Sequence, residues 1–300
     1  MRKFVILIFS ISFFLSCEEV IDIDVPQGDI KLVVNGIIRV DESKEFVPVE
    51  IKVTESSTFF ENNPIANIES ALILYGTPRS DAPELYENGP FFSNLAEVDP
   101  GSGIWVPDPT FDSEQRIRVN NIKEGDVFIL FLEYNGRRYA ASTTYIKSAP
   151  IDSFEQGSGT LFGDEETEII VTFTDRPDTQ DYYVIDFGFS EFLAVEDEFV
   201  DGQAFEFSYF YDQEFEPGTK LTVNLLGADQ NFFNYVDLII EQTQDTGGVF
   251  QTPVATVRGN VFDVTGLDND EIFDNVERPN NFALGYFAVV QQFKDSLIIE

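Results

Sequence analysis

Residues 127–145 read VFILFLEYNGRRYAASTTY. Two strand-forming runs, Val127 to Tyr134 and Arg138 to Tyr145, flank Asn135-Gly136. Asn-Gly between such runs signals a two-residue hairpin, because both central residues of that turn need a positive φ. The same pattern recurs on the N-terminal side. Lys31 to Val40 (KLVVNGIIRV) is rich in β-branched residues, and Val47 to Thr54 (VPVEIKVT) alternates apolar and polar with period two. Ile68 to Tyr75 and Gln115 to Val119 read as further strands. Residues 77–110, with several prolines and glycines, read as a loop or an irregular hairpin.

Downstream, Ser148-Ala149-Pro150 breaks the pattern and sets an expected boundary between a unit of residues 31–148 and one of residues 149–300. The second unit opens with Ile151-Asp152-Ser153-Phe154, followed by a glycine-rich acidic loop, Gly157 to Glu166. Strands are predicted over Glu168–Thr174, Tyr182–Phe189, Ala204–Tyr211, Lys220–Leu226, Asn281–Val290 and Ser296–Ile299. One helix is predicted after Asp229, a good N-cap, because Phe232, Phe233, Val236, Ile239 and Ile240 recur at helical spacing. Gly247-Gly248 ends it. Short strands at regular spacing predict a mainly β fold of two β-sandwich-like, Ig-like domains, the second with one α-helix.

The N-terminus reads differently. Arg2 and Lys3 precede an apolar run from Phe4 to Phe14, broken only by Ser10 and Ser12, and then Leu15, Ser16 and Cys17. A basic start, a short apolar run and a small residue at the cut describe a secretory signal over residues 1–16. A bilayer span needs about 20 apolar residues. Cys17 directly after the small residue is the position at which bacterial lipoproteins are cleaved and acylated, so Cys17 is the expected lipidation site. One acyl chain binds a membrane marginally, at about 0.8 kcal/mol per buried methylene, whereas several chains anchor durably. Residues 17–30, which contain EEVIDIDVPQG at 18–28, read as an acidic tether.

Composition bounds the chemistry. The 300 residues carry a formal net charge of −36 with no histidine and a single cysteine. Removing residues 1–16 takes Arg2 and Lys3 and no acid, which leaves 16 basic and 54 acidic residues and a net charge of −38. Nucleic acid is excluded as a natural partner, since a polyanion needs basic neutralisation. Without histidine there is no imidazole triad and no common zinc site. Without a second cysteine there is no intramolecular disulfide. The core must hold the fold, and 43% apolar residues, with 31 Phe and 11 Tyr, allow it.

Candidate sites are few. Asp268, Asp270 and Asp274, close to Asn269, Glu271 and Glu277, place oxygen ligands at spacings that suit calcium. The run lacks the central glycine and correctly placed glutamate of an EF-hand, and a solvated acidic loop is the plainer reading. Asp164-Glu165-Glu166 is a weaker group of the same kind. Phe205, Phe207, Tyr209 and Tyr211 alternate, as a sheet face turned to a core does. Trp105, between prolines and glycines, either stacks on a ligand or pins its own loop. No pair of carboxylates stands out for hydrolysis, so a non-enzymatic role is expected.

The leader with Glu19-Val20-Ile21-Asp22-Ile23-Asp24, then Lys31 to Gly36, Arg138 to Thr144, Pro150 to Ser153, Phe250, Pro253, Gly259-Asn260 and Leu284 to Phe287 occur in a characteristic order. Together they resemble the Bacteroidota lipoproteins grouped as domain of unknown function 4249, over nearly the whole mature chain. The resemblance implies an outer-membrane lipoprotein encoded beside TonB-dependent receptors, and the acidic residues after Cys17 resemble an export signal to the cell exterior. It brings no catalytic residues. The expected role is a non-catalytic binding accessory of a TonB-dependent transporter, with contact through loops 77–110 and 157–166. The alternatives are a calcium-dependent adhesin or glycan-binding lipoprotein, and a carboxylate hydrolase.

Overall fold

A computed structural model describes residues 29–57, 64–161, 163, 166–198, 201–244, 257–266 and 282–300. The described residues are mainly β with one long helix. The strands are β1 (Leu32–Val40), β2 (Ile51–Glu55), β3 (Ile68–Pro78), β4 (Tyr86–Glu97), β5 (Ile104–Pro107), β6 (Val127–Tyr134), β7 (Arg137–Thr144) and β8 (Ile151–Gln156). They continue as β9 (Thr167–Thr174), β10 (Tyr182–Gly188), β11 (Glu191–Glu196), β12 (Ala204–Tyr211), β13 (Lys220–Ala228), β14 (Val261–Asp263) and β15 (Leu284–Ile298). Helix α1 spans Gln230–Gln244.

The predicted hairpin is β6–β7, with Tyr134 opposite Arg137. Asn135 and Gly136 sit at φ 52° and 67°, as a tight turn of the primed type requires. Phe128, Leu130, Leu132 and Tyr134 alternate inward along β6.

Twelve strands form one sheet in the order β11-β10-β13-β15-β1-β2-β5-β4-β3-β6-β7-β14, and β12-β9-β8 form a second. The larger sheet folds over the first core: Ile146, just beyond β7, makes a parallel bridge to Val290 on β15. The smaller sheet faces β10 and β13 across a second core that holds Phe173, Tyr183, Phe187, Tyr211 and Val223. Phe205, Phe207 and Tyr209 pack on that core, while Ala204, Glu206 and Ser208 on the same strand are exposed.

The two halves of the chain share their principal sheet. The two strands expected at the C-terminus are one uninterrupted strand, β15. Its first part runs parallel to β1, from Val33↔Leu284 to Val40↔Gln291, and its second part runs antiparallel to β13. Fifteen residues at about 3.3 Å each span roughly 50 Å, long enough to line both cores. Val261 and Phe287, from the C-terminal half, lie in the first core with Val34 and Ile73. The close pairing of β1 and β15 depends on Gly285, at φ +84°, where an added Cβ would fall 2.0 Å from the carbonyl oxygen of Val34.

Two local expectations need correction, and one open alternative is decided. The strand expected over Val47–Thr54 begins only at Ile51, since Pro48 has no N–H to give a ladder. Val47 and Val49 are nevertheless buried, and Val47 donates to the carbonyl of Ile117 at 2.9 Å. Gln115–Val119 form no strand, and Val119–Asn121 make a 3-10 turn. Residues 77–110 contain the full β4 and β5, the irregular-hairpin alternative, with register shifts beside Thr77.

Candidate functional site

The sheet face around α1 carries two clefts, one on each flank of the helix. Asp229 caps the helix as expected: its Oδ1 accepts from the N–H of Phe232 at 2.7 Å. Its Oδ2 accepts from the Thr143 hydroxyl and the Thr144 N–H, both at 3.3 Å, which ties the cap to β7. Phe232 and Val236 then point down onto Tyr182, Val184, Leu226 and Tyr286. The helix covers β10, β11 and β13 but leaves β1 partly open. Burial holds the phenols of Tyr235 and Tyr286 above their ordinary value.

A cleft opens on each flank of α1. On one side lies an apolar groove of about 420 Å³, lined by Val33 and Ile37 of β1, Phe192 of β11 and Ile239 of α1. On the other lies a more polar cleft of about 530 Å³, with Thr143, Asn231, Asn234, Arg258 and Asn260 on its walls. Tyr235 and Tyr286, with ring centroids 4.5 Å apart, border both. Asn231 and Asn234 are exposed on the helix. Asn260 is structural: its amide donates to the carbonyls of Ser142 and Phe287 and accepts from the N–H of Phe287. Arg258 lies 4.5 Å over the ring of Phe282.

A second group of functional side chains is buried. Asp175, Asp181 and Asp197 are each under 5% exposed, and one carboxylate oxygen of each lies within 4.8 Å of the other two. The β10–β11 hairpin sets Asp181 against Asp197: the Asp181 N–H donates to Asp197 Oδ2 at 2.9 Å, and the Asp197 N–H donates to the Asp181 carbonyl at 3.2 Å. Tyr183 donates to Asp175 at 2.6 Å, and the Gly202 N–H donates to its other oxygen at 2.9 Å. Arg176 donates through Nε to Asp181 at 2.9 Å, through Nη2 to the other oxygen of Asp181, and through Nη1 to Glu124 at 2.6 Å.

Burial alone pushes the Arg176 guanidinium down, but its bonds to Asp181 and Glu124 outweigh that and hold it above its ordinary value. Burial, reinforced by the Asp175 and Asp181 charges, holds the Asp197 carboxyl above the usual carboxylate range. The three carboxylates offer three of the six to eight oxygens that calcium takes. Their protein donors already tie β9, β10 and β11 together at this point.

The residues singled out from sequence fall elsewhere. Cys17, the other tether residues up to Gly28, and Asp268, Asp270 and Asp274 lie outside the described residues, as do Asp164 and Glu165. Trp105 is not a surface ring. It is 8% exposed in β5 and belongs to the first core, paired across the sheet with Ile51 and Glu97. The reading of Trp105 as a ligand-stacking residue is therefore corrected: it anchors its own strand. Sequence reasoning missed the aspartate trio, whose only signal was the Asp175-Arg176-Pro177-Asp178 turn after a strand. It also missed Arg39, which pairs with Asp186 at 2.6 Å across the open end of the sheet face.

The described structure is thus mainly β, with clefts on both sides of the long helix α1. The chain belongs to the family described as Domain of unknown function (DUF4249), whose model matches residues 18–296. No curated protein matches it.

Proposed function

We propose that the protein is a lipid-anchored binding protein of the outer-membrane surface, a non-catalytic accessory of a TonB-dependent transporter. The observation that carries the reading is the order of the N-terminal sequence: a basic start, a short apolar run, Cys17 after Ser16, and an acidic tether. Membership of the family, for which that setting is expected, supports it. The clefts beside α1 supply concave surface for a ligand or for a transporter loop.

The test is a mild-detergent pull-down of the tagged, lipidated protein from its native membrane, with Cys17→Ala as control. Stoichiometric recovery of a barrel receptor with the wild type, and loss of membrane attachment in the control, is the expected result. Recovery of the anchored protein alone would sink the stable-complex reading.

A glycan-binding surface lipoprotein is the second reading. The observation that favours it is the polar cleft, where Asn231, Asn234 and Tyr235 present amide groups beside an aromatic ring. Titration with soluble surface polysaccharide, wild type against the Asn231→Ala/Asn234→Ala pair, decides it. Equal binding by both proteins counts against this cleft.

A further inference from the structure

The sheet face beside α1 changes character along its length. On β15 the side chains of this face run Tyr286, Ala288, Val290, Gln292 and Lys294, and on β1 they run Val33, Asn35, Ile37 and Arg39. The first part of β15 is apolar and packs under α1 with Val184 and Leu226. Beyond it the face becomes polar. Gln292 donates to Asn224 at 2.7 Å, Asn224 to the Asp186 carbonyl at 3.4 Å, and Arg39 meets Asp186 at 2.6 Å.

Two cavities meet where the character changes. The apolar groove of about 420 Å³ and a more open pocket of about 670 Å³ share Ile37 and Arg39 as walls. The open pocket adds Lys44 and Lys294. Three cations on one pocket are notable in a chain of net charge −36. Of the acids beside them, Glu45 pairs with Arg118 at 2.5 Å, while Asp41 accepts from the N–H of Ser43 at 2.9 Å and faces the Lys44 charge. Among the described residues neither Lys44 nor Lys294 forms an ion pair. The Arg39 guanidinium carries five N–H donors, more than its one close contact with Asp186 uses.

We infer that the groove beside α1 and the basic pocket it opens into form one site for a long-chain fatty-acid carboxylate, its alkyl chain in the groove and its carboxylate at Arg39, Lys44 and Lys294. The groove volume falls in the range of ligand pockets, and its walls are predominantly apolar with polar groups gathered at one end, the pattern of such sites. Charge complementarity selects an anionic head over a neutral or cationic one. The inference stands apart from the transporter reading, since a failed pull-down leaves the groove and its basic end unchanged.

The experiment uses the full chain with Cys17→Ala, stripped of bound lipid. Calorimetric titration is run at pH 8 with saturated carboxylates of 8 to 16 carbons and with the matching alcohols. Affinity should rise about fourfold per added methylene until the groove is full. Each carboxylate should bind about tenfold or more tighter than its alcohol, the advantage of hydrogen bonds to a charged group. Lys44→Gln with Lys294→Gln, two exposed substitutions, should shrink that advantage and leave alcohol binding unchanged. Ile239→Trp, filling the groove, should abolish binding of both series with the circular dichroism unaltered. Three results overturn the inference: no binding, equal binding of acid and alcohol, or affinity indifferent to chain length. Should Ile239→Trp fail to fold, the chain-length series and the lysine pair still decide the matter.

Discussion

At the residue scale, the energetics concentrate where charge is buried. Asp181 is 2% exposed and draws its neutralisation from Arg176. Breaking a buried pair by removing one partner leaves an uncompensated charge and costs roughly 3–5 kcal/mol. Arg176→Met should therefore lower the urea midpoint by that equivalent, while Arg79→Met, at an exposed pair with Asp81, should change it little. A midpoint unchanged in Arg176→Met is the contrary outcome. Asp197 gives a pH dependence of definite sign. Its folded-state carboxyl is held above the usual range by burial, so the folded protein binds that proton more tightly than the unfolded chain does. The contribution to stability is present below the ordinary carboxylate pKa and is lost as pH rises through the raised value. Asp41 and Glu168 shift the other way and lose their contributions as pH falls. The sign for Asp197 is thus read from the difference between wild type and Asp197→Asn in denaturant titrations between pH 3.5 and 7. The wild type should lose stability relative to the variant as pH rises, and the opposite slope refutes the assignment.

At the element scale, α1 is fixed by its first turn and by one apolar stripe. Asp229 satisfies an orphan N–H of the helix and also accepts from two groups of β7. Asp229→Ala should cost at least the ~1 kcal/mol typical of a lost N-cap, and Asp229→Asn should restore most of it. Far-UV circular dichroism during urea unfolding measures both, and equal stability of Ala and Asn variants would contradict a capping role. The helix was legible because Phe232, Val236 and Ile240 recur at its period, and the β6–β7 hairpin because Asn-Gly at a positive φ has few substitutes. By contrast β4 was legible only as part of a loop or irregular hairpin. Much of it is exposed or half-buried, so no apolar alternation marks it, and its pairing along β3 comes from the backbone ladder. Strand β11 was missed for the same reason, half-buried along nearly its whole length on the edge of the sheet.

At the scale of the whole molecule, β15 joins the two cores. Its parallel ladder with β1 and its antiparallel ladder with β13 make each core depend on a strand that also lines the other. Unfolding should be a single cooperative transition. Trp105, the one tryptophan and a member of the first core, reports locally, while far-UV circular dichroism reports on all strands. Their denaturation curves should coincide. Separated midpoints would mean that the halves unfold independently and that β15 transmits little between them.

Sequence alone established the β class, the tight hairpin, the capped helix and the inward face of the Phe205-to-Tyr211 strand. These features rest on local rules: side-chain period, turn conformation and cap chemistry. It also carried the family resemblance, because an ordered set of short motifs needs no three-dimensional information. Other features came only with the packing of the whole chain. The halves share a sheet, Trp105 is a core residue, three aspartates converge, and Arg39, Lys44 and Lys294 line one pocket that shares walls with an apolar groove. Each of these joins residues distant in the chain through a strand register. Local pattern is silent about register, since it records which face a side chain occupies and not which strand lies beside it.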